Sequence, residues 1–235
     1  MEIKPIAHFR SPFTTKFGIP RQSGLVRGLR GRIVFCPDYR DPEALRGLEG
    51  FDYLWMIWGF SANVSAPKHA TVRPPRLGGN RRMGVWATRS PFRPNNLGLS
   101  SVRIERIETG GKEGPVVHVS GADLMDGTPI YDIKPYVETA DSHCGVRSGF
   151  TDSEAWAELC VVMDKRLEEE FEPEQRKALA ETLALDPRPH YHDDPGRIYG
   201  MPFAGRDVRF RVEGDVLTVV EVTKNGDFRH LEGRL

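Results

Sequence analysis

The sequence contains only three cysteines, Cys36, Cys144 and Cys160, and no CxxC pair. An odd number of widely spaced thiols fits neither a disulfide framework nor the ligand spacing of a structural zinc site. The longest apolar run, residues 53–60, is far shorter than the roughly 18 residues of a membrane span. The N-terminus MEIKPIAHF also lacks the apolar segment of a signal peptide. These absences predict a cytoplasmic protein with no metal site and no membrane partner.

The common catalytic fingerprints are missing as well. The chain has no GxGxxG between a strand and a helix, no Walker loop, no GxSxG and no HExxH. Their absence excludes the dinucleotide-binding, P-loop, serine-hydrolase and zinc-peptidase folds that carry them, but it identifies no chemistry.

Acidic residues are absent from residues 53–104, although the whole chain balances 33 Lys and Arg against 33 Asp and Glu. Prolines, glycines and asparagines surround the basic side chains of this interval. Guanidinium groups without carboxylates on a stiff loop favour an anion supplied from outside, most commonly phosphate. The basic residues are Lys68, Arg73, Arg76, Arg81, Arg82, Arg89, Arg93 and Arg103.

The two halves of the chain carry opposite charge. Residues 1–104 have 17 Lys and Arg against 6 Asp and Glu, and residues 105–235 have 16 against 27. Such asymmetry favours a polyanionic partner for the first half, with nucleic acid the natural choice. In the alternative interpretation, the acidic half folds back and neutralises the basic half.

Short apolar segments separated by turn residues predict a mainly β fold with an α+β appendage. We expect a small antiparallel β-barrel in residues 1–140, with a hairpin turn at Asp126 and Gly127, and a smaller α+β domain in residues 141–235. A loop at 13–30 is long enough to be functional. The expected strands cover residues 2–9, 31–37, 51–60, 83–88, 102–108, 116–122 and 128–132.

The C-terminal part is predicted to combine a helix with a hairpin. Pro173 fits the first position of an amphipathic helix that turns Leu179 and Leu183 inward. Alternating runs at 206–213 and 216–222 predict the hairpin. Residues 156–162 have strand character and residues 164–171 helical character, so we expect a switch between the two.

Trp55 and Trp58 lie in the most apolar strand, and two roles fit them. Tryptophan can stack on a nucleic-acid base. A continuous apolar strand is far more often part of a core, which favours that role.

The segment 186–200 also allows two interpretations. Its alternating basic and aromatic residues are typical of a surface that clamps phosphates and stacks bases. Its histidines and aspartates could ligate a divalent metal, although a solvated loop is favoured because no further ligands follow at fixed spacing. The first set is Arg188, Tyr191, Arg197 and Tyr199, and the second is His190, His192, Asp193 and Asp194.

Six blocks, in order along nearly the whole chain, closely resemble the TrmO family of TsaA-like β-barrel methyltransferases. They are PRQ at 20–22, RGLEGFDYLW at 46–55, TVRPPRLGGN at 71–80, MGVWATRSPFRPN at 83–95, DLMDGTPIYDIKPY at 123–136 and DPRPHY at 186–191. Six blocks at compatible spacing are much more specific than any one of them.

The resemblance implies a homodimeric enzyme that uses S-adenosylmethionine (SAM) to methylate N6 of N6-threonylcarbamoyladenosine at position 37 of tRNA. It also implies a cofactor site near the subunit interface, formed without a dinucleotide fold. Two other classes stay open on the residues alone: an RNA-binding adaptor without catalysis, and a hydrolase of a phosphorylated small molecule.

The implied SAM contacts include Ser61, where relatives carry histidine, so that contact is expected through the backbone. Because the acceptor is a poor nucleophile, a proton acceptor is expected as well. Asp126 is the candidate base, or else a turn residue that caps its own backbone, and Asn95 is the candidate orienting group. SAM contacts are expected from Pro20, Arg21, Gln22, Phe60, Ser61, Arg89, Leu99, Asp126, Gly127, Thr128 and Pro129, and RNA contacts from Arg73, Arg76, Arg81, Arg82, Arg93, Arg188, Tyr191, Arg197 and Tyr199.

Overall fold

The computed structural model describes residues 2–63, 69–74, 77, 81–152, 157–188 and 194–224. Its strands are β1 Ala7–Arg10, β2 Arg30–Phe35, β3 Tyr53–Gly59, β4 Thr71–Val72, β5 Met83–Gly84, β6 Leu97–Glu108, β7 Val116–Ser120, β8 Pro129–Pro135, β9 Cys160–Val162, β10 Tyr199–Phe203, β11 Arg206–Glu213 and β12 Val216–Lys224. Its α-helices are α1 Glu138–Asp141, α2 Lys165–Glu168 and α3 Pro173–Ala184.

Six strands close into an antiparallel barrel in the order β1-β2-β7-β6-β3-β8. Alternate side chains point inward, as the period of a strand requires. On β3, Leu54, Met56 and Trp58 are buried in the barrel core, which confirms the core interpretation of Trp58. Trp55 is half-buried and donates from its indole Nε1 to Asp141 Oδ2 at 3.0 Å. The predicted mainly β fold with a small barrel is confirmed.

The turn at Asp126 and Gly127 does not join a hairpin, and this part of the prediction was wrong. β7 pairs with β2 and β6, whereas β8 pairs with β1 and β3, so the strands before and after the turn are not neighbours. The turn is instead held to the first strand and the loop after it, because Gly127 N–H donates to Phe9 O and Asp126 N–H to Phe13 O. Local turn chemistry identified the bend but not which strands it would separate.

The predicted strand at 83–88 is shorter than expected. Only Met83 and Gly84 are extended, in a two-residue pairing with β4, and Val85–Ala87 form a 3₁₀ turn. Arg93 accounts for the turn, because its guanidinium donates to the carbonyl oxygens of Val85 at 3.2 Å and Thr88 at 2.7 Å. A side chain five and eight residues further along the chain therefore binds carbonyl groups that a continued strand would use for pairing.

The C-terminal part forms a second sheet in the order β10-β11-β12-β9, in which β9 is parallel to β12. The predicted hairpin is present, since β11 and β12 pair directly around Gly214. Helix α3 begins at Pro173 as expected and buries Leu179 and Leu183 completely. Within the described ranges, no helix combines the length and apolarity that a bilayer span would need.

The long loop at 11–29 belongs to the core of this second sheet, although it directly follows β1. Phe13, Val26 and Leu29 are buried among C-terminal residues, and the Phe13 ring meets Phe203 edge-on at 5.2 Å. Gly18 has φ 86°, and a Cβ there would lie 2.0 Å from the sulfur of Met201. The loop therefore packs tightly on the C-terminal sheet, which fixes the position of its tip at residues 20–22.

Candidate functional site

A cleft of about 1850 Å³ lies where the open end of the barrel, the long loop and the C-terminal part meet. The barrel supplies the end of β3 and the start of β6, including Trp58, Phe60 and Leu99. The C-terminal part supplies the end of α3 and the turn after it, including Leu185. Residues of the barrel, of the long loop and of the C-terminal part therefore all line the cleft.

The cleft is strongly cationic. Among the described residues its lining has six Lys and Arg side chains against two carboxylates, those of Asp123 and Asp186. The basic side chains come mainly from the acid-free interval, as its composition predicted. They are Lys16, Arg21, Arg73, Arg82, Arg89 and Arg93.

Neutralisation by the acidic half of the chain is only partial. Arg10 and Arg30 form ion pairs with Asp126 and Glu174. Within the part of the chain that the structure describes, no carboxylate forms a salt bridge with Arg73, Arg81, Arg82, Arg89 or Arg93. Their positive charge is available for an external anion.

Arg89 and Arg82 are cleft arginines that neutral side chains hold in place. Arg89 donates to Gln22 Oε1 at 2.6 Å, which connects the loop tip to the acid-free interval. Arg82 donates to the Thr71 hydroxyl at 2.8 Å, across the small β4–β5 pair. A neutral acceptor orients a guanidinium without cancelling its charge, so these residues are placed for a ligand and remain cationic.

Asp123 is a half-buried carboxylate that lines the cleft. Its Oδ1 accepts a hydrogen bond from the Ser100 hydroxyl at 2.6 Å, and Ser100 Oγ accepts from the indole Nε1–H of Trp58 at 2.9 Å. Burial raises the pKa of Asp123, and the Ser100 hydrogen bond and the positive charge of Arg89 oppose this rise.

The geometry of this chain of groups depends on a close approach between two strands. Gly98 on β6 lies opposite Trp58 on β3, and a Cβ at Gly98 would come within 2.3 Å of the indole ring. Glycine is required because the ring lies over the neighbouring backbone. The ring position then directs the indole N–H at Ser100.

Most of the residues expected to bind SAM line the cleft. The loop tip, the end of β3 and the start of β6 all contribute, although they are far apart in the sequence. Those that line the cleft are Pro20, Arg21, Gln22, Phe60, Ser61, Arg89, Leu99 and Thr128; of the described residues, Asp126, Gly127 and Pro129 are outside the lining.

Neither expected catalytic residue faces the cleft. Asp126 Oδ1 accepts from the backbone N–H of Ser11 at 3.0 Å, and its Oδ2 lies 3.7 Å from Arg10. The side chain therefore caps the backbone of the distant Ser11 and not its own turn. Asn95 is exposed in the turn before β6 and, among the described residues, is not part of the lining.

The residues expected to bind RNA do not all lie at the cleft. Arg73, Arg82 and Arg93 line it, whereas Arg81 is exposed and is not among the described lining residues. Arg188, Arg197 and Tyr199 lie in the C-terminal segment, and Arg76 and Tyr191 lie outside the described residues. His190, His192 and Asp193, the candidates for the alternative metal site, also lie outside them.

The stacking surface expected in that segment is not present at Tyr199. Its ring is 6% exposed and stacks on Phe210 at 5.6 Å in the second core. Arg188 directs two nitrogens at the two carboxylate oxygens of Asp186, each at 2.9 Å. Tyr199 is used internally because β10 is a strand of the second sheet, and Arg188 because it pairs with Asp186 in the turn after α3.

Two residues of the site were missed as functional candidates, Asp123 and Trp86. Asp123 opens the block DLMDGT, in which the second aspartate, Asp126, was the expected base and cofactor contact. Trp86 lines the cleft with 76% of its surface exposed. An exposed tryptophan in an arginine-rich interval indicates a binding surface. The predicted strand at 83–88 gave Trp86 a structural role instead, so it was not named as a candidate.

Comparison with known proteins covers nearly the whole chain. The family model "tRNA-methyltransferase O N-terminal domain" matches residues 8–142, and "TrmO C-terminal domain" matches residues 156–225. The tRNA (adenine(37)-N6)-methyltransferase of Escherichia coli K12 is 37% identical over 219 residues, which are 90% of this chain and 93% of that protein.

Two further similarities come from Pseudomonas aeruginosa. A putative S-adenosylmethionine-dependent methyltransferase RcsF is 39% identical over 232 residues, 94% of this chain and 96% of that protein. The crystal structure of TrmO from this organism superposes with a TM-score of 0.76 at 34% identity, covering 95% of this chain and 97% of that one.

Proposed function

This chain belongs to the TrmO family, and on that premise we propose that it transfers a methyl group from SAM to N6 of adenosine 37 in tRNA. The cationic cleft is the observation that carries the proposal. It combines a predominantly basic lining with apolar and aromatic side chains such as Phe60 and Leu99. A nucleotide presents the same combination, a phosphate and a flat apolar ring.

The size of the cleft supports a reaction between two substrates. Typical small-molecule sites have about 300–1,000 Å³, and this cleft has about 1850 Å³. SAM supplies an activated methyl group on a sulfonium when bound. The protein's task is to align the acceptor nitrogen with that methyl group and to exclude water.

We further propose that the tip of the loop and the adjoining strand ends hold SAM. Arg89 and Gln22 are already joined by a hydrogen bond, so this part of the site is organised before a ligand arrives. Phe60 and Leu99 provide apolar surface for an adenine ring, and Arg21 provides a cation for a carboxylate. The remaining proposed contacts are Pro20, Ser61 and Thr128.

The rim formed by the acid-free interval is proposed to bind RNA. Arg73 and Arg82 provide charge for phosphates, and Trp86 provides a ring on which a base can stack. A methyl acceptor within an anticodon loop must leave the base stack to reach the cleft, and an exposed aromatic stabilises such a base. A tRNA substrate also implies that the enzyme acts in the cytoplasm.

The finer substrate is proposed to be N6-threonylcarbamoyladenosine, as the family resemblance implies. The threonyl carboxylate would find positive charge in the cleft, which supports the assignment. The test is to incubate tRNA with and without the threonylcarbamoyl group with SAM labelled in its methyl group. Label should enter only the modified tRNA, and equal label in both would refute this substrate.

A homodimer remains a prediction from the resemblance. Leu99 is 54% exposed and Trp86 76% exposed at the cleft, so apolar surface is present for another chain or for RNA. Sedimentation analysis of the purified protein across a range of concentrations, without tRNA, checks the oligomeric state. A single monomeric species throughout would contradict the dimer.

A non-catalytic RNA adaptor and a phosphate-ester hydrolase are separated from this proposal by one measurement. Only a methyltransferase is expected to be stabilised by SAM and by its demethylated product. A ligand at 100 times its dissociation constant stabilises the folded state by about 2.7 kcal/mol, which a thermal melt detects readily.

A further inference from the structure

Three side chains from separate elements form a hydrogen-bonded series that ends in the cleft. Trp58 on β3 is 7% exposed and Ser100 on β6 is 1% exposed, so both are part of the barrel interior. Asp123 follows β7 and lines the cleft. The series therefore runs from the barrel core to the surface on which substrates would bind.

The chemistry of the groups fixes the direction of this series. An indole N–H can only donate, so Ser100 Oγ must accept from Trp58. The single hydroxyl hydrogen of Ser100 is then free to point at Asp123 Oδ1 at 2.6 Å. Asp123 Oδ1 therefore accepts a hydrogen bond from Ser100. If the Ser100 side chain changed rotamer, this bond would break and the indole N–H of Trp58 would lose its acceptor.

Asp123 keeps capacity for another proton or donor. A carboxylate offers about four acceptor positions. The Ser100 hydroxyl and the backbone N–H groups of Ser23 and Asp123 provide its hydrogen bonds within the chain. Three donors leave room for a further one among the described residues, and Asp123 lines the cleft.

Burying such a group costs stability, which favours a functional explanation. An ionised carboxylate loses hydration on burial, and Arg89, the charged side chain that acts on Asp123, compensates only in part. An asparagine would keep the bond from Ser100 without this cost. Perturbed carboxylates in clefts are enriched among catalytic groups.

The other carboxylate of the cleft lining is already engaged. Both oxygens of Asp186 accept from Arg188. The histidine of the described lining is His69, which is exposed. Asp123 is thus the carboxylate with both an open position and a support that orients it.

Resting on the proposed function, we propose that Asp123 accepts the proton of the acceptor nitrogen, with Ser100 and Trp58 as positioning residues. The nitrogen lone pair forms the new N–C bond while the C–S bond of the donor breaks and its electron pair stays on sulfur. The N–H proton passes to the carboxylate of Asp123, which releases it to solvent after product leaves. A ureido-type N–H is a weak nucleophile, so removal of this proton is where the protein contributes most.

The central experiment compares Asp123→Asn with the wild-type protein in full-length form. We expect kcat to fall at least 100-fold, within the range typical of a lost general base, with SAM affinity by calorimetry changing less than threefold. Asp132→Asn is the matched control, because Asp132 lies on β8 and pairs with exposed Lys134. Its activity should equal that of the wild type.

The pH profile distinguishes a base from a merely structural residue. Wild-type kcat should rise with pH and reach a plateau above the pKa of Asp123, and Asp123→Asn should lose this rising limb. Ser100→Ala removes a hydrogen bond that lowers this pKa, so the limb should move to higher pH.

Three results would overturn the assignment. The first is a wild-type kcat and pH profile in Asp123→Asn. The second is a loss of SAM affinity in Asp123→Asn that accounts for its whole loss of activity. The third is a rising limb of the pH profile that disappears in His69→Gln but persists in Asp123→Asn. Failure of the proposed function is distinct, because the wild-type protein itself would then methylate no tRNA.

Discussion

The guanidinium of Arg21 donates a hydrogen bond to the main-chain oxygen of Asp186 at 3.3 Å, although 165 positions separate the two residues. This bond joins the tip of the long loop, where we place SAM, to the turn that follows α3. The same Asp186 receives the fork of Arg188 and has φ 49°, an uncommon conformation for a residue other than glycine. The wall of the cleft thus depends on a charged pair that also fixes an unfavourable backbone turn.

We predict that Arg188→Gln lowers the free energy of unfolding by about 1–3 kcal/mol, because two charge-assisted hydrogen bonds are lost and the Asp186 carboxylate is left without them. Urea denaturation gives this quantity. Arg211→Gln, an exposed substitution of the same type on β11, should have little effect. Unchanged stability in Arg188→Gln together with weaker tRNA binding would instead support a direct RNA contact.

The double substitution Arg73→Ala and Arg82→Ala should weaken tRNA binding and flatten its dependence on salt. Each lost phosphate contact reduces the slope of log K against log salt by about 0.7–0.9, so the pair should reduce it by about 1.4–1.8. Filter binding at several salt concentrations measures the slope. Lys165→Ala with Arg166→Ala removes the same charge from exposed sites on α2 and serves as control. An equal change in both variants would show only a general charge effect.

Trp86→Ala should reduce tRNA affinity by about 1–3 kcal/mol, the usual contribution of one base stacked on an aromatic ring. Trp86→Phe should retain most of the affinity, because the ring face is preserved. The exposed ring of Tyr39, 42% exposed on the barrel, provides the control substitution Tyr39→Ala. If Trp86→Ala changes the sedimentation of the protein but not its tRNA affinity, the ring belongs to a protein interface.

Asp123→Asn should make the protein more stable at neutral and alkaline pH. Because burial raises the pKa of Asp123 in the folded state, its contribution to stability is fully present below the unfolded value of about 3.9 and is lost as pH rises through the raised value. Asparagine does not ionise, so the variant does not lose this stability. The difference in Tm between Asp123→Asn and the wild type should therefore increase from low to high pH. A gain of about 1 kcal/mol corresponds to ~2–4 °C for a chain of this size. Thermal melts of the free protein across this range measure it, and a constant difference would contradict the raised pKa.

The sequence by itself determined the elements that depend on local chemistry. Alternation and turn residues identified the β11–β12 hairpin, and the proline at the first helical position identified the start of α3. The absence of acidic residues over 53–104 identified the source of the cationic surface. Family-like blocks indicated the loop tip and the strand ends that meet in the cleft. The hairpin and helix signals each lie within a short window, where neighbouring side chains set the backbone.

Only the tertiary structure decided which groups face the cleft. Asp123 and Asp126 are three residues apart and chemically identical, yet one is held by Ser100 in the cleft lining and the other caps the backbone of Ser11. Tyr199 and Trp86 are both aromatic, yet one is buried in the second core and the other is exposed at the rim. Barrel closure and the packing of the long loop on the distant C-terminal sheet determine these outcomes. Such pairings depend on contacts between residues far apart in the chain, and the residue types in a local window do not specify them.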